Sequence, residues 1–124
     1  MIKEIMAVGL GSCVGGIARY VVSRIVQTAS RSLFPWGTFT VNVTGCFIIG
    51  ILYGLLDRHV AMSDGMRLFL TVGFCGGFTT FSTFMHENTL LFGARNLTMV
   101  AAYASLSLFA GFLCLYAGRF LAKI

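Results

Sequence analysis

The chain has 124 residues, 57% of them hydrophobic and only 10% charged, with nine Lys and Arg against four Asp and Glu for a formal net charge of +5. Soluble domains carry roughly a quarter charged residues, so this composition and a mean hydropathy of +0.88 exclude an ordinary soluble fold and make lipid the natural solvent. The basic residues stand singly near segment ends, which excludes the phosphate-neutralising patch of a nucleic-acid binder and fits snorkelling anchors and anionic lipid.

A span needs about 20 apolar residues, so the length holds about four transmembrane helices with short connections and no separate soluble domain. The first is predicted at 5–26, interrupted by Arg19 and Arg24 and followed by a polar stretch from Gln27 to Ser32. It lacks a small-residue cleavage site and runs on past the length of a signal peptide, so it is expected to remain in the mature protein. The second, 35–56, opens at Pro35-Trp36; Pro suits the first helical turn and Trp36 is an interfacial anchor. Its 22 residues give roughly 33 Å of helix, the thickness of the hydrocarbon layer. A polar turn containing Asp57-Arg58-His59 and Ser63-Asp64 leads to the third segment, 66–92, and the Arg95-Asn96 turn leads to the fourth, 97–119. Cys13, Cys46, Cys75 and Cys114 fall one in each segment, never at CxxC spacing, and read as small packing residues.

The third segment is unusual at its centre, where Gly76-Gly77 is followed by Thr79, Thr80, Ser82 and Thr83. Adjacent glycines and clustered hydroxyls make a poor lipid-facing helix. Irregular backbone at membrane depth survives only where protein buries it or water reaches it. A break near Gly76-Gly77 is therefore expected, freeing backbone groups for ions as discontinuous helices do in transporters. The competing reading is a close helix crossing through small residues.

With four spans, one side carries Lys3, Arg58, Arg67, Arg119 and Lys123, and the other Arg24, Arg31 and Arg95, with Arg19 if it snorkels that way. Five against three or four is a weak orienting bias, so insertion in both directions is expected. The chain has no internal repeat, so a two-fold axis in the membrane plane would come from pairing two oppositely oriented copies as an antiparallel homodimer.

Enzyme signatures are absent: no HExxH or GxSxG occurs, and the carboxylates are Glu4, Asp57, Asp64 and Glu87. The chain instead offers uncharged donors at helical spacing. Thr38 and Asn42 are i, i+4, continued by Gly45 and Cys46; Tyr103 and Ser107 are i, i+4, followed by Gly111. Both sets also suit plain interhelical hydrogen bonding. Phe81 and Phe84 share one face just after the expected break, and two positive ring edges can stabilise an anion without a charge. A path lined by such groups suits a small, strongly hydrated anion, and with no central Lys or Arg to trap it, the ion can leave. Arg19 is expected either as an anion-concentrating vestibule residue or as a snorkelling anchor.

Three stretches in order, Gly15-Gly16-Ile17-Ala18-Arg19-Tyr20, Trp36-Gly37-Thr38-Phe39 with Asn42 and Gly45, and the run from Gly73 to Phe84, resemble the Fluc (CrcB) fluoride channel family across essentially the whole chain. The resemblance implies an all-α, dual-topology antiparallel homodimer with two pores, passively exporting fluoride across the bacterial cytoplasmic (inner) membrane. It implies Asn42 as the pore amide, Phe81 and Phe84 as the aromatic pair, and Thr80, Ser82 and Thr83 as a hydroxyl track continued by Thr38, Tyr103 and Ser107. By the same resemblance Gly76 and Thr79 lend backbone carbonyls to a structural sodium ion (Na+) on the dimer axis, and Glu87 lies near the pore mouth. Two positions depart from the pattern: Cys46 replaces an expected hydroxyl and Gly111 offers no donor. A proton-coupled multidrug exporter would need a titratable carboxylate within a span, for which Glu87 is the sole candidate. The Gly50 to Gly54 spacing would also fit a non-conducting assembly subunit.

The charge balance generates a direct test. Paired reporters that are active on opposite sides of the membrane, fused to the C-terminus, are expected to give comparable signals; signal from one side alone contradicts dual insertion.

Overall fold

A computed structural model describes residues 1–124, all helical apart from short connections. The elements are α1 (Ile2–Ser30), α2 (Trp36–Asp57), α3 (Asp64–Leu68), a π-helical segment (Phe69–Cys75), the single turn α4 (Gly76–Phe78), α5 (Ser82–Gly93) and α6 (Leu97–Lys123). Four spans are long and apolar enough to cross a bilayer, the third being the composite from Asp64 to Gly93. Both ends of α1 and the C-terminal end of α6 run three or four residues beyond the sequence expectation, because backbone hydrogen bonding continues past the apolar core into the interface, and the other ends agree within two residues.

The connection from α1 to α2 hangs on one side chain. Arg31 terminates α1 in the left-handed region (φ 49°), its N–H bonded to the Gln27 carbonyl. Gln27 then donates to the carbonyls of Ser32 (2.9 Å) and Phe34 (3.2 Å) and accepts from the Gly37 N–H (3.0 Å). One amide thus satisfies three backbone groups of the turn, two carbonyls and one N–H, and holds the segment that carries buried Phe34. Phe34, Phe84 and Tyr103 form the buried aromatic nucleus, with Phe34 and Phe84 edge-on to Tyr103 at 5.3 and 4.8 Å between centroids.

Two parallel helix pairs make up the bundle. A Cβ on Gly50 would strike the Leu115 carbonyl, one on Gly54 would lie 2.7 Å from the Arg119 carbonyl, and one on Gly118 would strike the Phe47 carbonyl. The α2–α6 contact therefore rises in step along both chains and is as close as backbones allow. The Gly50 to Gly54 spacing is consumed inside the chain, not presented to a partner. In the second pair, α1 lies against the π-helical segment and α4: Gly73 would carry a Cβ 2.8 Å from the Gly11 Cα, and Gly77 one 2.7 Å from the Ser12 carbonyl. At the shared end of α2 and α6, Asp57 pairs with Arg119 (2.6 Å) and Lys123 (3.4 Å), an exposed cluster worth little to stability.

Gly76 and Gly77 remain helical. The interruption comes two residues later, at 79–81, where Thr79 turns extended (φ −98°, ψ 159°) before α5 restarts at Ser82. Gly77 thus serves the crossing with α1 while Gly76 faces open space, and the hydroxyl-rich stretch after them carries the irregular backbone. The physical reason is that Asn42 captures the peptide groups of Thr80, described below.

Gly50→Val is expected to destabilise the fold by about 2 kcal/mol or more, since no flexible side chain can yield to the new atoms. Thermal unfolding in detergent checks this, with Gly16→Ala, where nothing lies within 4 Å, expected to be near neutral.

Candidate functional site

Asn42, one-third of the way along α2, reaches the interruption. Its Nδ2 donates to the Thr80 carbonyl (3.0 Å) and its Oδ1 accepts from the Thr80 N–H (2.7 Å). A side-chain amide thereby replaces the helical partners of both backbone groups of one residue. The second N–H of the same amide is left free. In a continuous helix the Thr80 N–H would go to Gly76, and the Thr83 N–H to Thr79; the latter instead goes to the Thr80 hydroxyl (3.2 Å). The carbonyls of Gly76 and Thr79 consequently accept no hydrogen bond within the chain. Gly76 is exposed. These are bare hard-oxygen donors, the ligand type a small alkali or alkaline-earth cation takes. No group of three or more His, Cys, Asp or Glu converges anywhere in the chain.

An inner cavity of about 400 Å³ opens beside the interruption, with Asn42, Cys46, Gly76, Thr79, Thr80, Phe81, Phe84 and Ser107 among its walls. No Lys, Arg, Asp or Glu lines it. The Ser107 hydroxyl is buried there with no hydrogen-bond partner, an unmet polar atom that calls for a ligand or water. Phe84 is buried, whereas Phe81 is 71% exposed and projects away from its own bundle, the two centroids 6.1 Å apart. Ser82 is exposed and makes no side-chain contact through its hydroxyl. The two departures noted above are neighbours: a Cβ on Gly111 would meet the Cys46 sulfur at 3.3 Å. The larger sulfur on α2 fits against the missing side chain on α6, which offsets one change with the other.

An outer, more polar cavity of about 410 Å³ is lined by Tyr20, Ser23, Arg24, Gln27, Thr28, Gly37, Thr38, Thr83 and Glu87. Glu87 bridges three elements, its Oε2 accepting from the Thr38 hydroxyl (2.9 Å) and its Oε1 from the Tyr103 hydroxyl (2.8 Å). Tyr103 is completely buried, and its hydroxyl proton, like that of Thr38, is committed to this carboxylate. Thr38 and Tyr103 therefore gather around Glu87 and not beside Asn42 and Ser107. Thr38 lies one turn from Asn42, about 6 Å along the α2 axis, so the two cavities follow each other along one helix.

Arg19 does not line this outer cavity. Its Nε donates to the Gly77 carbonyl (2.9 Å), tying α1 to the last turn before the interruption. Arg24 is the cation of the cavity, its guanidinium held by the Tyr20 hydroxyl at 2.6 Å and set over the Tyr20 ring. From the sequence Arg24 reads only as an end-of-span charge, and its i, i+4 spacing from Tyr20 is the available signal. Gln27 carries no such signal, since a polar residue at a segment end gives no sign of the turn it organises.

Residues 6–119 match the family model described as CrcB-like protein, Camphor Resistance (CrcB). The chain is similar to proteins named fluoride-specific ion channel FluC. It is 40% identical to that of Chlorobaculum tepidum over all of this chain and 98% of the relative, and 42% identical to that of Chlorobium luteolum over 97% and 92%. With the protein of that name from Flavobacterium psychrophilum it shares 36% identity over 98% of both chains.

The Glu87 bridge predicts strong coupling. Tyr103→Phe leaves a half-buried carboxylate short of one donor and is expected to cost about 2 kcal/mol in detergent unfolding. Combined with Glu87→Gln the loss should be less than additive, with a coupling of about 1 kcal/mol in a double-mutant cycle.

Proposed function

The chain belongs to the CrcB-like family, as a multi-pass protein of the bacterial inner membrane and not an enzyme, and from that premise we propose that it is a passive, selective fluoride channel. The observation that carries the reading is the uncharged inner cavity, where the buried, unpartnered Ser107 hydroxyl shares a wall with the free N–H of Asn42. Fluoride is small and holds its water tightly, so it enters a dry passage only where hydrogen-bond donors replace that water. Asn42 and Ser107 supply such donors. The ring edges of Phe81 and Phe84 add positive potential without adding a charge that would trap the ion.

The two cavities support an order of groups along the path. Arg24 in the outer cavity attracts anions, while Glu87, held by Thr38 and Tyr103, keeps the mouth from becoming a strong anion sink. Thr83 is in the outer cavity and Thr80 in the inner, which makes this hydroxyl turn the passage between them. An interior-negative membrane potential then drives the anion out, at about 2.3 kcal/mol per charge per 100 mV.

The channel is proposed to be an antiparallel homodimer with two pores. The position of Phe81 supports this, because the ring lines the cavity yet is 71% exposed, so a second chain packed there would complete the cavity wall. The unpartnered Gly76 and Thr79 carbonyls fit a structural sodium ion: two chains would offer a set of hard oxygens, and the cation would supply fixed positive charge and a tie between subunits.

Liposomes loaded with fluoride, given a potassium ionophore and followed with a fluoride electrode, test the proposal against matched chloride controls. Rapid fluoride release with negligible chloride release is expected. Asn42→Asp, which sets a negative charge in the path, and Phe81→Ile are each expected to slow release by about 50-fold or more while the dimer still forms. Unchanged release from a well-folded Asn42→Asp dimer would remove the amide from the mechanism.

A further inference from the structure

All four thiols of the chain are free, and two of them share the inner cavity: Cys46 on α2 and Cys75 at the end of the π-helical segment. Cys75 is 2% exposed, and its carbonyl holds both the N–H and the hydroxyl of Thr79. The Thr79 methyl group is the atom that a Cβ on Gly45 would strike, so the Cys75 turn and the stretch carrying Cys46 meet at one patch. Cys114 does not border the cavity, and Cys13 is exposed on α1.

Thiolates are soft ligands and select soft cations. A zinc ion requires about four ligands, and no cluster of that size exists here. Mercury(II) is satisfied by two thiolates in a linear arrangement. The resulting S–Hg–S unit carries no net charge, which matters because the cavity contains no charged side chain to neutralise an ion and is walled largely by Ile49, Phe81, Phe84 and Leu108. We propose that Cys46 and Cys75 form a two-coordinate site for a soft divalent metal of the mercury(II) class in the wall of the inner cavity, and that occupancy closes the passage past Asn42 and Ser107. In the binding step two S–H bonds break and two S–Hg bonds form; both protons leave to solvent, with no change of oxidation state. Occlusion rests on the channel reading given above, whereas metal binding does not.

The probe is mercury(II) itself, added to the purified, detergent-solubilised full chain in competition with dithiothreitol. Binding is read from the sulfur-to-mercury charge-transfer absorption and from metal retained on gel filtration. One ion per chain is expected, and it should persist when Cys13 and Cys114 are both changed to Ala. Cys46→Ser or Cys75→Ser in that background loses the two-point attachment and should weaken binding about 100-fold. Cys46→Ser places a hydroxyl at a half-buried position, so it keeps the test usable if the Cys75 variant fails to fold. In fluoride-loaded liposomes, one equivalent of mercury(II) should reduce fluoride release at least about 10-fold, reversibly with dithiothreitol, and leave the Cys46→Ser variant conducting. Loss of binding on Cys114→Ala alone, or binding that survives Cys75→Ser, would overturn the assigned pair. Full occupancy with unchanged release would overturn occlusion. Tight binding by a chain that releases no fluoride even without mercury would uphold the metal site and overturn the channel reading instead.

Discussion

The reciprocal pair between Asn42 and the Thr80 peptide is the interaction on which the rest of the site depends. Backbone polar groups at membrane depth have no water to turn to, and an interrupted helix leaves several of them open. One amide satisfies the N–H and the carbonyl of Thr80 at 2.7 and 3.0 Å. The bond to the Thr80 N–H withdraws it from the Gly76 carbonyl, and the Thr80 hydroxyl in turn draws the Thr83 N–H from the Thr79 carbonyl, so both oxygens are left bare. The two amide bonds also fix Phe81 at the start of α5, where the ring points out of the protomer. A single residue of α2 thus sets the inner cavity wall, the unbonded carbonyls and the exposed ring.

That pair holds only if the helices are brought to backbone contact. Glycines supply this in both halves of the bundle: Gly50, Gly54 and Gly118 between α2 and α6, and Gly11, Gly15, Gly73 and Gly77 between α1 and the first half of the third span. In lipid there is no hydrophobic drive to press helices together, so close packing of small residues does the work of a core. Few side chains are large and buried, and the aromatic nucleus of Phe34, Phe84 and Tyr103 is correspondingly small. It nonetheless ties the α1–α2 turn to α5 and α6, which bear on the mouth of the path.

Glu87 shows how a carboxylate is tolerated near an anion route. Donors from α2 and α6 engage each of its oxygens, so its charge is spread over two charge-assisted hydrogen bonds and faces the outer cavity across from Arg24. A proton-coupled exporter would need its carboxylate free to exchange partners during transport, and this one cross-links three helices. The result is a mouth with one cation and one anion instead of a strongly charged funnel.

The sequence by itself determined the solvent, the four spans and the character of the site, because composition, segment length and the spacing of Thr38 with Asn42 and Tyr103 with Ser107 are local quantities. It also marked the third span as irregular, since glycines beside hydroxyls are a local conflict. Only the tertiary structure decided where the interruption falls, that Arg19 holds Gly77 and leaves the outer cavity to Arg24, and that Thr38 and Tyr103 serve Glu87. These outcomes depend on hydrogen bonds across 16 to 58 residues of sequence. A donor in an apolar helix announces that it needs a partner, but which partner it meets is settled by the register between helices, and that register is fixed by where glycines let the backbones touch.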